Sequence, residues 1–75
     1  MLEGFLRELY KKSISFDIFP EEEGVVVEFP YGLWDYSVEF NNGLIIYYAI
    51  KVDSNDELLP RTCNSLDTLL RRLNL

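Results

Sequence analysis

The sequence contains no histidine and only one cysteine. Without histidine, a histidine general base, a Ser–His or Cys–His nucleophile and a histidine-bound metal ion are all excluded. The single cysteine, Cys63, cannot form an intramolecular disulfide. Because secreted domains of this size often need such cross-links, we expect a protein of the reducing cytoplasm. These absences argue against an enzyme.

Positive charge and long hydrophobic runs are also scarce. Seven Lys and Arg stand against 13 Asp and Glu, so the net charge is −6 and a basic footprint for direct nucleic-acid binding is absent. The longest apolar run, residues 44–50, is seven residues, whereas a membrane-spanning helix needs about 20. Charges interrupt the apolar residues at the N-terminus, which predicts no signal peptide. We therefore expect neither direct nucleic-acid contact nor membrane contact.

The composition is that of a small folded domain. Hydrophobic residues make up 48% of the 75 residues and aromatic residues 15%, too much for a disordered chain. One core can form, without room for a separate catalytic domain, so we expect a single acidic α+β domain over residues 1–75. The acidic stretch 53–57 lacks the central glycine and the final glutamate of a calcium loop. The sequence thus predicts no catalytic residue, no metal and no cofactor.

Hydrophobic periodicity predicts a helix at each end of the chain. The first helix presents one apolar stripe, formed by Leu2, Phe5, Leu6, Leu9 and Tyr10. The last helix begins after Asn64, its expected N-cap, and its stripe consists of Leu66, Leu69, Leu70 and Leu73. The helix, strands, helix pattern resembles that of double-stranded-RNA-binding domains. Their basic cluster is reduced here to Arg71 and Arg72, so the likeness is one of topology.

Alternating apolar and polar residues predict four strands between the helices. These strands fall within residues 14–19, 25–29, 34–40 and 44–52, and residues 53–57 form a polar loop. The expected fold class is α+β, with a four-stranded antiparallel meander sheet flanked by an N-terminal and a C-terminal helix (α-β-β-β-β-α). Whether the second helix covers the same face as the first is left open.

The turn between the third and fourth strands decides which side chains are buried. A two-residue loop at Asn42 and Gly43 would pair Phe40 with Ile45, whereas a three-residue loop would pair Phe40 with Leu44. Only the longer loop makes one face of the sheet wholly apolar, so we expect that register. The predicted core is Phe5, Leu6, Leu9, Phe16, Ile18, Val25, Val27, Phe29, Trp34, Tyr36, Val38, Phe40, Ile46, Tyr48, Ile50, Leu66, Leu69 and Leu73.

The opposite, open face of this sheet is acidic in part and apolar in part. The predicted partner-binding residues are Asp17, Glu28, Asp35 and Glu39 on three strands, Glu21, Glu22 and Glu23 in the adjacent loop, and Ile45 and Tyr47 on the fourth strand. Apolar groups would supply affinity, and charges would supply steering towards a basic protein surface. Carboxylates on rigid strands can also imitate a row of phosphates and occupy a nucleic-acid site.

The function predicted from these residues is a non-enzymatic protein-binding module or inhibitor. Two alternatives remain: the charge serves only solubility and protection of the sheet, or the chain is a structural subunit, most simply a homodimer. In size, acidity and helix–sheet pattern, the chain resembles phage-encoded inhibitors of host enzymes, anti-CRISPR proteins among them. That likeness of class rests on no shared motif, and it implies a DNA-mimic inhibitor in the host cytoplasm.

Overall fold

A computed structural model describes residues 1–54 and 56–75. Its elements, in chain order, are α1 (Leu2–Lys11), β1 (Asp17–Pro20), β2 (Gly24–Tyr31), β3 (Trp34–Asn41), β4 (Leu44–Lys51), β5 (Glu57–Cys63) and α2 (Leu66–Leu73). The α+β class, the antiparallel sheet and the helix at each end confirm the sequence prediction. Asn55, in the middle of the predicted polar loop 53–57, lies outside the described residues.

The sheet has five strands rather than the predicted four. Its spatial order, β1-β2-β3-β4-β5, is a simple meander with every neighbouring pair antiparallel. The missed strand, β5, has six exposed residues and no clear alternation, and Pro60 interrupts it. Proline lacks the N–H that a central strand needs, but an edge strand tolerates it. The sequence of β5 therefore resembles a connecting loop, although its residues pair with β4.

The β3–β4 turn contradicts the predicted register. Asn42 (φ 49°) and Gly43 (φ 81°) form a two-residue turn in which both residues have positive φ, the type I′ geometry that matches the strand twist. Phe40 therefore pairs with Ile45, and every side chain of β4 lies on the face opposite to the predicted one. The local preference of Asn–Gly outweighs the gain from collecting all apolar residues on one face.

Both helices cover the same face of the sheet, which we call the helix side. Phe5 of α1 lies at the centre, with its ring centroid 5.5 Å from those of both Phe29 and Phe40. Eleven buried hydrophobic residues form the core: Phe5, Leu9, Val27, Phe29, Val38, Phe40, Ile45, Tyr47, Ala49, Leu69 and Leu73. At Gly4, an added Cβ would lie 2.8 Å from Leu66 Cδ2, so this glycine permits the close approach of α1 to α2.

The reversed register changes the membership of the core. Ile45, Tyr47 and Ala49 are buried, whereas Tyr48 and Ile50, predicted as core residues, are 41% and 39% exposed. The predicted core residue Ile46 is half-buried. Ile18 is also exposed, because it lies on β1, a short edge strand whose four residues are all exposed.

Helix α2 begins one residue later than predicted. Its N-cap is Ser65 rather than Asn64, and the Ser65 hydroxyl accepts a hydrogen bond from the Thr68 N–H at 3.1 Å. The helix ends at Asn74, whose left-handed conformation (φ 59°) lets the Leu75 N–H bond the Leu70 carbonyl at 2.8 Å. Within residues 1–54 and 56–75, neither helix is long and apolar enough to cross a membrane.

Candidate functional site

The candidate site lies on the open face of the sheet, the face that the helices leave uncovered. Cross-strand pairing arranges its side chains in three rows: Phe19, Val26, Glu39, Ile46 and Thr62; Asp17, Glu28, Ser37 and Tyr48; and Pro30, Asp35, Ile50 and Glu57. Because alternate residues of a strand point to the same face, β1, β2 and β3 contribute carboxylates here, while β4 contributes aliphatic and aromatic groups. Acidic and apolar side chains therefore lie side by side.

The open face carries no positive charge. The seven Lys and Arg lie on the helices, just after α1, or on the helix side of β4 and β5: Arg7, Lys11, Lys12, Lys51, Arg61, Arg71 and Arg72. Among the described residues, the single ion pair joins Lys11 to Glu8 at 3.5 Å, on α1. No intramolecular cation therefore neutralises the open-face carboxylates.

Two of these carboxylates oppose each other directly. Asp17 on β1 and Glu28 on β2 are cross-strand partners, and both are exposed. Like charges directly opposite on neighbouring strands destabilise a sheet by a few tenths of a kcal/mol to about 1 kcal/mol.

A shallow depression marks the place where the acidic and apolar parts meet. Its volume is about 270 Å³, and its lining includes Asp17, Glu28 and Asp35 together with Tyr48 and Ile50. The depression is open to solvent and has three carboxylates on one side and an aromatic ring on the other. Such a surface can hold a cationic group near the acids while its apolar stem packs on the ring.

The structure places the predicted site residues in three different locations. Asp17, Glu28 and Asp35 meet around the depression, and Glu39 lies on the same face outside it. Glu21, Glu22 and Glu23 lie in the β1–β2 loop, all exposed, at the end of the sheet that also holds the β3–β4 turn. The predicted exposure of Ile45 and Tyr47 is wrong: they are 0% and 6% exposed, on the helix side.

The apolar part of the open face is formed by residues that the sequence reasoning assigned to the core. Ile46, Tyr48 and Ile50 occupy it, and Glu57 of β5, opposite Ile50, adds a fifth carboxylate. The Asn–Gly dipeptide could have predicted the exposure of Ile46, Tyr48 and Ile50, because it favours a two-residue turn and so determines the register of β4. No comparable signal marked Glu57, since its strand was predicted as a loop.

In the part of the chain that the structure describes, no three His, Cys, Asp or Glu residues are grouped so that they could hold a metal ion. The exposed carboxylates of the open face spread over four strands instead of converging on one point. Their arrangement suits contact with an extended cationic surface.

Comparison of the chain with protein-family models, with curated proteins and with solved structures found no match.

Proposed function

We propose that this protein is a non-enzymatic binding module that docks its open face on a basic surface of another protein. The observation that supports this most is the charge separation: the five open-face carboxylates, Asp17, Glu28, Asp35, Glu39 and Glu57, share their face with no Lys or Arg. Electrostatic complementarity of this kind steers encounter and rejects acidic partners.

The apolar residues beside the acids would supply the affinity. Tyr48 and Ile50 remain about two-fifths exposed, at 41% and 39%, although β4 has a neighbouring strand on each side. Aromatic anchors surrounded by polar groups are typical of the residues that carry most of the binding energy in protein interfaces. Tyr48 therefore takes the anchoring role that the sequence assigned to Tyr47.

The more specific form of the proposal is an inhibitor that covers a nucleic-acid site. Rows of carboxylates on a rigid sheet can occupy positions where a basic surface would otherwise bind phosphates. A cytoplasmic location belongs to the same proposal, because the free thiol of Cys63 suits a reducing compartment. A phage-encoded inhibitor acting in a host cytoplasm is the biological setting that this form implies.

Charge reversal on the two sides of the sheet tests the proposal. The open-face variant combines Asp35→Lys with Glu39→Lys, and the matched control combines Glu3→Lys with Asp67→Lys on the helices. Each protein is immobilised in a lysate of its native host at two salt concentrations, with and without DNA, and the retained proteins are identified by mass spectrometry.

We expect wild type and control to retain the same nucleic-acid-handling protein, and both salt and DNA to release it. The open-face variant should retain at least about tenfold less, since like charges across an interface cost several kcal/mol. Equal retention by the open-face variant and the control would contradict the proposal. If the partner protein is retained but neither salt nor DNA releases it, the proposal that this chain mimics nucleic acid would be wrong.

A homodimer joined through the open face is the second candidate. The exposed apolar strip of β4, with Leu44 42% exposed beside Tyr48, favours it, because small domains gain buried surface by self-association. The carboxylates oppose it, since a second copy brings the same uncompensated charge to the contact. Sedimentation across a concentration series decides: a dimer that Tyr48→Glu converts to monomer supports this candidate, and a monomer at all concentrations excludes it.

A further inference from the structure

A second cavity lies at the β5 edge of the sheet, between β5 and the last turn of α2. Its volume is about 130 Å³. The cavity lies beside the irregularity in the β4–β5 pairing between Tyr47 and Ala49.

Every polar side-chain group that lines this cavity is a hydrogen-bond donor. The lining contains the side chains of Arg61 and Arg72 and of three tyrosines, Tyr36, Tyr47 and Tyr48, the last of which belongs to the open face. No Asp or Glu lines it, although acids outnumber bases 13 to 7 in the chain. A guanidinium has no acceptor at all, so the complement of this lining is a group rich in acceptors.

The structure holds two of these donors in place and leaves part of their capacity unused. Arg72 donates from Nη1 to the Tyr47 hydroxyl at 3.0 Å and to the Thr62 carbonyl at 3.1 Å, which leaves its Nε and Nη2 groups available. Tyr47 is only 6% exposed. Its oxygen accepts a hydrogen bond from Arg72, so its own hydroxyl proton can be donated to a ligand. Neither Arg61 nor Arg72 forms an ion pair with a described residue.

A further donor, Tyr36, has no hydrogen-bond partner for its hydroxyl among residues 1–54 and 56–75. Burial, with a smaller contribution from nearby Tyr31, raises the pKa of the Tyr36 phenol, so it keeps its proton at neutral pH. Tyr36 therefore adds a further neutral donor to a lining that already carries two positive charges.

The rest of the wall is apolar, formed by Leu58, Leu59 and Leu73. A volume of about 130 Å³ is enough for one ring or a short chain. Inorganic phosphate would leave the leucine wall without a partner. A carboxylate on an apolar body would satisfy both parts, because guanidinium binds carboxylate in a planar, two-pronged geometry.

We propose that this cavity is a binding site for a small organic carboxylate. Its carboxylate accepts from Arg61, Arg72 and the Tyr47 hydroxyl, and its apolar body packs against Leu58 and Leu73. Tyr36 and Tyr48 also line the open-face depression, whereas the proposed ligand contacts Arg61, Arg72, Tyr47, Leu58 and Leu73 do not.

Titration with benzoate, followed by amide chemical shifts, tests the proposal on the intact chain. Benzamide, which has the same shape without the charge, is the ligand control. We expect saturable shifts around Leu58, Arg61 and Leu73 with benzoate and none with benzamide. Arg61→Gln should weaken benzoate binding about tenfold or more, as for the loss of a charge-assisted hydrogen bond. Arg71→Gln makes the same charge change outside the cavity and should leave the affinity within about twofold.

Three results would overturn the proposal: equal shifts with benzamide, benzoate affinity unchanged by Arg61→Gln, or tighter binding of inorganic phosphate than of benzoate. The open-face variant, Asp35→Lys with Glu39→Lys, should bind benzoate as wild type does. With that result, the carboxylate site can be confirmed or rejected separately from the proposed docking function.

Discussion

Strand β4 presents nearly identical residues to two different environments. Ile45 and Tyr47 are buried against the helices, while their neighbours Ile46 and Tyr48 face outwards, half-buried and exposed, respectively. Hydropathy alone cannot separate these pairs, because either set would make an acceptable core. The two-residue turn at Asn42–Gly43 separates them, since it determines which of the alternating side chains points towards the helices.

The largest expected difference between the two faces comes from truncating the two neighbouring isoleucines. Ile45→Ala removes a fully buried side chain and should lower the free energy of unfolding by about 2–5 kcal/mol. Ile46→Ala, on the open face, should lower it by less than about 1 kcal/mol. A domain of this length has roughly 4–11 kcal/mol in total, so the first variant is close to unfolding. Urea denaturation measures both, and a larger effect at Ile46 would mean that the register is wrong.

The neighbouring residues Tyr47 and Tyr48 allow the two faces of β4 to be compared by the removal of a single hydroxyl group from each. Tyr47→Phe deletes the acceptor of the partly buried Arg72 hydrogen bond and should cost about 1 kcal/mol of unfolding free energy. Tyr48→Phe deletes a hydroxyl that faces solvent and should change the stability by less than 0.5 kcal/mol, within the range of about ±0.5 kcal/mol seen for surface changes. Equal effects in urea denaturation would show that the Arg72–Tyr47 contact contributes nothing to the fold.

On the open face, a charge reversal should stabilise the fold. Glu28→Lys converts the like-charged pair with Asp17 into an attractive one and should raise the free energy of unfolding by about 0.2–1 kcal/mol. The gain should shrink at high salt, because exposed charges are screened. Glu39→Lys, opposite Val26, is the control and should gain less. A loss of stability in Glu28→Lys would contradict the view that this pair opposes folding.

The smallest effect concerns pH. Burial raises the pKa of Tyr36 in the folded chain, so below pH 10 the phenol is neutral in both states and its contribution to stability is fully present. As the pH rises above 10, the unfolded chain ionises first, and stability falls until the pH exceeds the folded pKa. Thermal unfolding between pH 9 and about pH 11 should therefore show a shallower decline for Tyr36→Phe than for wild type.

The sequence predicted much of the fold but not the face of every strand. Periodicities of 3.6 and 2 placed both helices and four strands, because each of these elements buries one regular stripe. The sequence prediction missed β5, because this strand lies at an exposed edge and its residues Leu58, Leu59 and Pro60 show no alternation. It also failed at the β3–β4 turn, where maximal segregation of apolar residues was weighed above turn chemistry.

The candidate site was predicted in its charges and missed in its apolar half. Asp17, Glu28 and Asp35 lie on one face as predicted, because each has an apolar residue on either side of it in the sequence. The register predicted for β4 is wrong by one residue. It therefore assigns Tyr47 and Ile45 to the open face and Tyr48 and Ile50 to the core, the reverse of the structure. The donor-lined cavity could not be predicted, since it depends on the irregular β4–β5 pairing and on the position of α2.

The segregation of all Lys and Arg from the open face gives the whole molecule an electric dipole directed across the sheet. In the field of a charged macromolecule, such a body rotates before contact is made. Near a positively charged surface, the open face would arrive first, and near a polyanion the helices would. The orientation in which the protein collides is therefore selected at a distance of about one Debye length, roughly 8 Å at physiological ionic strength, before any side chain has touched its partner.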